Sequence, residues 1–146
     1  MKIIGIDPGK NGGIGVIDNG DASAYKLPAT PRDRWGLISS LSVDDPFALI
    51  ERSTSSPQMG VKSAFTFGEG YGSLIAMLIA AGIPHDTVTP NKWMASLNCR
   101  TGGDKNVTKA KAQALFPSLC ITHSIADAIL IAEYARRLKS GELSSK

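Results

Sequence analysis

The chain opens on short apolar runs separated by turn residues. Residues Lys2 to Ile6 and Gly13 to Ile17 are rich in β-branched side chains and flank a turn punctuated by Pro8-Gly9 and Gly12-Gly13. This pattern predicts a strand, a tight connection and an antiparallel strand. Asn19-Gly20-Asp21 is a hairpin turn signal, so Ala22 to Leu27 forms a third strand in the meander.

Thr30-Pro31-Arg32-Asp33 reads as a helix start, with Thr as N-cap, Pro in the first helical position and an acid in the first turn. A short apolar run, Phe47 to Ser53, then predicts a fourth strand, followed by a polar loop from Thr54 to Gly60. Lys62 to Ala81 reads as a long helix in spite of Gly68, Gly70 and Gly72. Each internal glycine costs about 0.5–1 kcal/mol against alanine, so close packing is expected to compensate.

His85 to Pro90 predicts a fifth strand, with His85 itself a surface turn residue, and Pro90 opens a short helix. A basic helix follows from about Asn106 to Phe116, stopped by Pro117. The last helix is apolar almost all round from Ile125 to Ala132, hence buried at its front, and Gly141 ends it. The order of elements gives an α/β fold, a mixed five-stranded sheet flanked by helices. Trp35, Phe65, Phe67, Trp93 and Phe116 have apolar helical surroundings and are expected in the core.

Composition adds bounds. With 146 residues, 42% hydrophobic and 20% charged, the chain fits one domain, residues 1–140, with 141–146 as a short tail. The net charge of +3 permits a polyanionic partner without demanding one. Cys99 and Cys120 have no metal-like spacing, which points to a reducing compartment and away from zinc. The first acidic residue comes too early for a signal peptide, and no apolar run reaches the ~20 residues of a membrane span, so a cytoplasmic protein with no membrane partner is expected.

The candidate chemistry lies in three carboxylates set among apolar neighbours. Asp7 ends the first strand, Glu51 lies in the fourth, and Asp127 sits in the first turns of the last helix. Each of the first two has a plainer reading: Asp7 as a turn aspartate, Glu51 as a solvated strand-edge residue. Asp127 is harder to read so, because Asp is rarely buried unpaired and its neighbours are Ile125, Ala126, Ala128 and Ile129. If the first and fourth strands are neighbours, the three converge at one end of the sheet. Two bare carboxylates ~4 Å apart at an effective dielectric near 20 repel by ~4 kcal/mol, so such a cluster implies a cation. Oxygen ligands on several elements favour Mg²⁺ or Mn²⁺, and two such ions are a device for in-line attack on a phosphodiester.

The stretches IIGIDPGKNGGI, FALIERS, SAFTFGEGYGSL, VTPNKWMASL and SIADAILIAEYARR, in this order and at these separations, resemble the RuvC-like Holliday junction resolvases, especially the short phage-type members. The likeness runs from about Lys2 to Arg137. It implies an RNase H-like fold, a homodimer, and metal-dependent nicking of four-way and other branched DNA with two Mg²⁺ ions, or Mn²⁺, per site. By motif position Asp7, Glu51 and Asp127 match three of that family's four acidic metal ligands, and Lys92 and Lys105 fall at its functional lysines. The fourth acid, one helical turn before the last, is replaced by His123 or Ser124. His123, at i to i+4 from Asp127, is the better ligand candidate; the alternative is that His123 or Ser124 caps the last helix. With His123 as a ligand the site should tolerate Mn²⁺ better than Mg²⁺.

Arg100, Lys105, Lys109 and Lys111 form either a solvated helix face or phosphate clamps beside the metal site. Arg52 and Lys62 flank the Thr54 to Gly60 loop, where Met59 is the bulky apolar residue available to reach DNA. The glycine-bearing helix Lys62 to Ala81 is the expected dimer interface. Two rival readings are a catalytically weakened branched-DNA-binding module and an ATP-binding domain of the actin and sugar-kinase type. The second also opens on a strand-turn-strand like GIDPGKNGG, but that fold normally pairs two such domains.

Overall fold

Alternation along the first strand, β1 (Lys2–Asp7), sends Ile3, Gly5 and Asp7 to one face of a sheet and Ile4 and Ile6 to the other. A computed structural model describes residues 1–52 and 54–144 of the chain. Ser53, the predicted end of the fourth strand, and Ser145 and Lys146 of the predicted tail lie outside the described residues. β2 (Gly13–Asp18) and β3 (Asp21–Lys26) follow antiparallel, joined by Asn19 and Gly20 at φ 51° and 94°, the left-handed pair that a tight hairpin turn needs.

α1 (Pro31–Ser40) begins as its residues predict: the Thr30 hydroxyl accepts the Asp33 N–H at 3.1 Å. It leads to β4 (Pro46–Glu51), which pairs parallel with β1, and α2 (Val61–Ala80) leads to β5 (His85–Val88), parallel to β4. The sheet has five strands in the order β3-β2-β1-β4-β5. α3 (Pro90–Ser96), α4 (Asn106–Leu115) and α5 (His123–Ser140) complete the chain. α5 ends on Gly141 at φ 79°. His85 begins β5 with its ring half-buried, rather than occupying a surface turn.

The sheet separates two apolar layers. Ile4, Ile6, Ile14, Ala48 and Ile50 pack with Ile38 of α1 and Leu74 and Leu78 of α2. On the other face, Ile3, Ile17 and Leu49 pack with Trp93 of α3 and Ala126, Ile129 and Leu130 of α5. α5 lies against the middle of the sheet because two glycines leave it room. Gly5 and Gly15 face each other across the β1–β2 pair. A Cβ on Gly15 would stand 2.5 Å from the Ile129 Cα, and one on Gly5 would fall on the Ala132 nitrogen and the Ala128 carbonyl.

Two packing expectations fail. In α2, a Cβ on Gly68 or Gly72 would meet nothing within 4 Å, and on Gly70 only the Arg34 guanidinium at 3.6 Å. These glycines therefore make no close contact within the chain. Of the aromatics expected in the core, Trp93 is buried and Phe67 and Phe116 are partly so, but Trp35 and Phe65 are exposed, Phe65 by 72%. They lie off the stripes of α1 and α2 that carry Ile38, Leu74 and Leu78 to the sheet.

Candidate functional site

Period two along the strands puts Asp7 on the α5 face of the sheet, and Glu51, after Phe47 and Leu49, on the same face. The parallel register runs to Ile6 opposite Ile50, so Asp7 and Glu51 come next on adjacent strands, whose axes are about 4.8 Å apart. α5 carries His123 as its first residue and Asp127 one turn on, over the end of β1. Asp7, Glu51, Asp127 and His123 line one open cavity of about 360 Å³ together with Lys105 and Thr108. Lys105 is the N-cap residue of α4, so its ammonium is offered at the start of that helix.

Two of the three carboxylates are held by a donor each. The Gly9 N–H donates to Asp7 Oδ1 at 3.0 Å, and the buried Trp93 indole N–H donates to Glu51 Oε2 at 2.7 Å. The Thr108 hydroxyl, which donates to the Lys105 carbonyl at 3.3 Å, lies close enough to Asp127 to pull its carboxyl down. Asp127 Oδ1 is buried and has no hydrogen-bond partner among the described residues.

Burial raises all three carboxyls above their ordinary values. Glu51 is pushed up to about 7 by desolvation, against the pull of the Trp93 bond, with Asp7 and Asp127 adding repulsion. Asp7 is raised by burial against the Gly9 bond and Asp127 by burial against the pull of the Thr108 hydroxyl; the Lys105 charge pulls both back, and His123 does the same at Asp127. Glu133, further along α5, shows what pairing does to a carboxylate in this fold. Its oxygens meet Arg136 at 2.8 Å and Arg137 at 2.6 Å, and these partners outweigh its burial and hold it below the ordinary carboxylate range. Among the described residues the cluster at Asp7, Glu51 and Asp127 has no such counter-charge in bonding contact and is electrostatically incomplete.

Among the described residues, no three His, Cys, Asp or Glu side chains are gathered tightly enough to chelate an ion as they stand. The donor set nevertheless fits a hard divalent cation: three carboxyls raised by burial, one buried oxygen with no partner, and an imidazole on the same cavity wall.

Five of the predicted site residues, Asp7, Glu51, Lys105, His123 and Asp127, thus come together. The remaining cations do not line this cavity. Lys62 lines a neighbouring groove, and Arg100 borders a shallow depression with Ala95 and Asn98. Lys92 and Arg52 are exposed, Arg52 directly after β4 with its N–H on the Val88 carbonyl. Lys109 is one turn beyond Lys105 on α4, while Lys111 acts electrostatically on the buried Cys99. The capping alternative for His123 and Ser124 is overturned: the N-cap of α5 is Thr122, and no side chain makes the cap bond. Thr108, Lys10 and Asn11 also line the cavity, and sequence reasoning passed over them. The three-residue step from Lys105 to Thr108 on a helix was the available signal for Thr108.

No helix among the described residues is long and apolar enough to cross a membrane. No family model matches the chain, and no curated protein matches it. Solved structures do. A Thermus thermophilus RuvC structure is 21% identical with a TM-score of 0.61, the match covering 97% of each chain. T. thermophilus RuvC in complex with Holliday junction substrate is also 21% identical, with a TM-score of 0.63 over 97% of this chain and 96% of that one. The superposition runs over nearly the whole of both chains: the five-stranded sheet flanked by helices has the RNase H-like fold as it occurs in RuvC.

Proposed function

We propose that this chain is a divalent-metal-dependent endonuclease that nicks four-way junctions and other branched DNA as a homodimer. The observation that carries this reading is the incomplete carboxylate cluster, with Asp127 Oδ1 buried and unpartnered, in an open cavity that also presents Lys105. Asp7, Glu51, Asp127 and His123 would hold two Mg²⁺ ions, or Mn²⁺. Bound there, the ions supply charge neutralisation to the attacking and leaving oxygens of an in-line phosphodiester displacement.

The chain's own groups do the positioning. The Gly9 N–H fixes one oxygen of Asp7 and the Trp93 indole one oxygen of Glu51, and among the described residues the second oxygen of each has no hydrogen-bond donor. Lys105 faces the same cavity and offers its charge to the phosphate as negative charge builds on it. Lys62, Lys92, Arg100, Lys109, Lys111 and Arg52 extend the cationic surface for flanking DNA, each phosphate contact steepening the salt dependence of binding by about 0.9 in log–log slope.

The dimer reading rests on α2. Val61, Phe65, Gly68, Gly72 and Ile79 follow one another at helical spacing along its solvent face, with Val61 88%, Phe65 72% and Ile79 65% exposed. Small residues between apolar ones let a second helix approach closely, which gives the glycines the packing that they lack within the chain. A two-fold dimer presents two sites, as two nicks on a four-way junction require.

Cleavage of a synthetic four-way junction in Mg²⁺, Mn²⁺ or chelator tests the reading, with Asp7→Asn beside wild type. Metal-dependent nicks that vanish in the variant while junction binding persists are expected; intact DNA with every metal would overturn the enzyme. The replacement of a fourth acid by His123 favours one second reading, a catalytically weakened junction binder. It predicts tight binding with nicking detectable only in Mn²⁺ or not at all.

A further inference from the structure

A groove of about 390 Å³ lies beside the acidic cavity and shares Gly9 and Lys10 with it. It runs between the Pro8–Lys10 turn, α1 and α2. Lys10, Arg34 and Lys62 stand on its walls, no carboxylate lines it, and Pro8, Met59 and Phe67 give it an apolar floor. Among the described residues none of the three cations forms an ion pair.

Arg34 is held in place before any ligand arrives. Its Nε donates to the Pro28 carbonyl at 2.7 Å, and its Nη1 lies over α2 at Gly70, where a Cβ would stand 3.6 Å away. One edge of the guanidinium is thereby fixed, and the terminal nitrogens remain for an oxyanion. Unpaired positive charge beside an apolar floor is the surface that an unstacked nucleotide matches, with its phosphate on the cations and its base on the apolar side chains. A duplex presents no base face to such a floor, because stacking hides it.

We propose that this groove binds one unpaired nucleotide of a DNA strand, Arg34 clamping its phosphate and Phe67 and Met59 packing against its base. Its shared boundary with the acidic cavity makes it the neighbour of the scissile position, so the proposal rests on the nuclease reading. The volume lies within the range of about 300–1,000 Å³ of small-ligand sites.

The test is binding of a fluorescein-labelled short oligothymidylate to the full chain in chelator, followed by anisotropy over a salt series. Arg34→Ala and Phe67→Ala should each weaken binding about tenfold while circular dichroism shows the variants folded at the assay temperature. Arg34→Ala should also lower the salt slope by about 0.7, and Arg34→Lys should restore the slope. If Arg34→Ala unfolds the chain, Arg34→Gln, which retains an amide for the Pro28 carbonyl, replaces it. Undiminished affinity in the folded variants, or no binding by wild type, would overturn the groove. The nuclease reading fails separately, if no metal yields nicks on a four-way junction while oligothymidylate binding still depends on Arg34.

Discussion

Trp93 holds Glu51: its indole N–H donates to the Glu51 Oε2 at 2.7 Å from a fully buried position. The bond joins the middle of α3 to the end of β4, so a side chain belonging to the core also aims a carboxylate of the candidate site. Trp93→Phe keeps most of the packing and removes the donor. A hydrogen bond to a charged group is worth about 1.5–3 kcal/mol, so junction nicking should fall roughly ten- to a hundredfold. The Trp93 bond also lowers the Glu51 value, so its loss should move the acid limb of the pH–rate profile to higher pH. A lower rate with an unmoved acid limb would make Trp93 a packing residue only.

Stability without metal should decline toward alkaline pH. Glu51 has its folded value raised from 4.5 to about 7, so between those values the folded chain keeps a proton that the unfolded chain has released. The stabilisation is complete below the lower value, is lost as pH rises through the higher one, and does not return. A divalent cation competes with that proton, so Mg²⁺ should raise the melting temperature more on the alkaline side of neutrality than in mild acid. Thermal melts in Mg²⁺ and in chelator across pH would show it; a shift that does not vary with pH would contradict it.

In the proposed metal site His123 should set the preference between Mg²⁺ and Mn²⁺. His123→Asp restores a carboxylate one turn from Asp127 and should raise Mg²⁺-supported nicking relative to Mn²⁺, with tighter Mg²⁺ binding by calorimetry. Ser124→Ala should leave stability within about 0.5 kcal/mol, since no side chain caps α5. Equal metal responses in His123→Asp and wild type would remove His123 from the site.

Phe65→Asp should separate the dimer. The side chain is exposed in the single chain, so the substitution costs little folding stability, but it places a charge in the middle of the α2 stripe. Sedimentation should show monomer for the variant and dimer for wild type. A wild type that sediments as a monomer at working concentration would exclude the α2 interface.

The sheet and the acidic residues were legible because each broke or kept a simple rule. Asn19-Gly20 demands a tight hairpin, alternation sets the β1 and β2 faces, and a carboxylate among isoleucines is an anomaly that asks for a partner. Asp127 was conspicuous for that last reason. The roles of Thr108, Trp93 and Arg34 were not legible, because each depends on which atom of a common residue meets which neighbour. Closeness in sequence also misled: Arg100, Lys105 and Lys111 lie within twelve positions, yet helical rotation and the loop before α4 turn them to three different places. The glycines of α2 suggest close packing, but a side chain at Gly68 or Gly72 would meet nothing within 4 Å in the chain, because pattern alone does not say which face of a helix turns to the core.

Gly5 and Gly15 act as a mechanical stop for the whole site. Because a methyl at either would collide with the backbone of α5, that helix descends until main chain meets main chain, where repulsion is steep. The height of Asp127 and His123 above Asp7 and Glu51 is thus gauged by atoms that are missing. One carbon added at residue 5 would meet the Ala132 nitrogen and the Ala128 carbonyl, and so would push Asp127 and His123 away from Asp7 and Glu51.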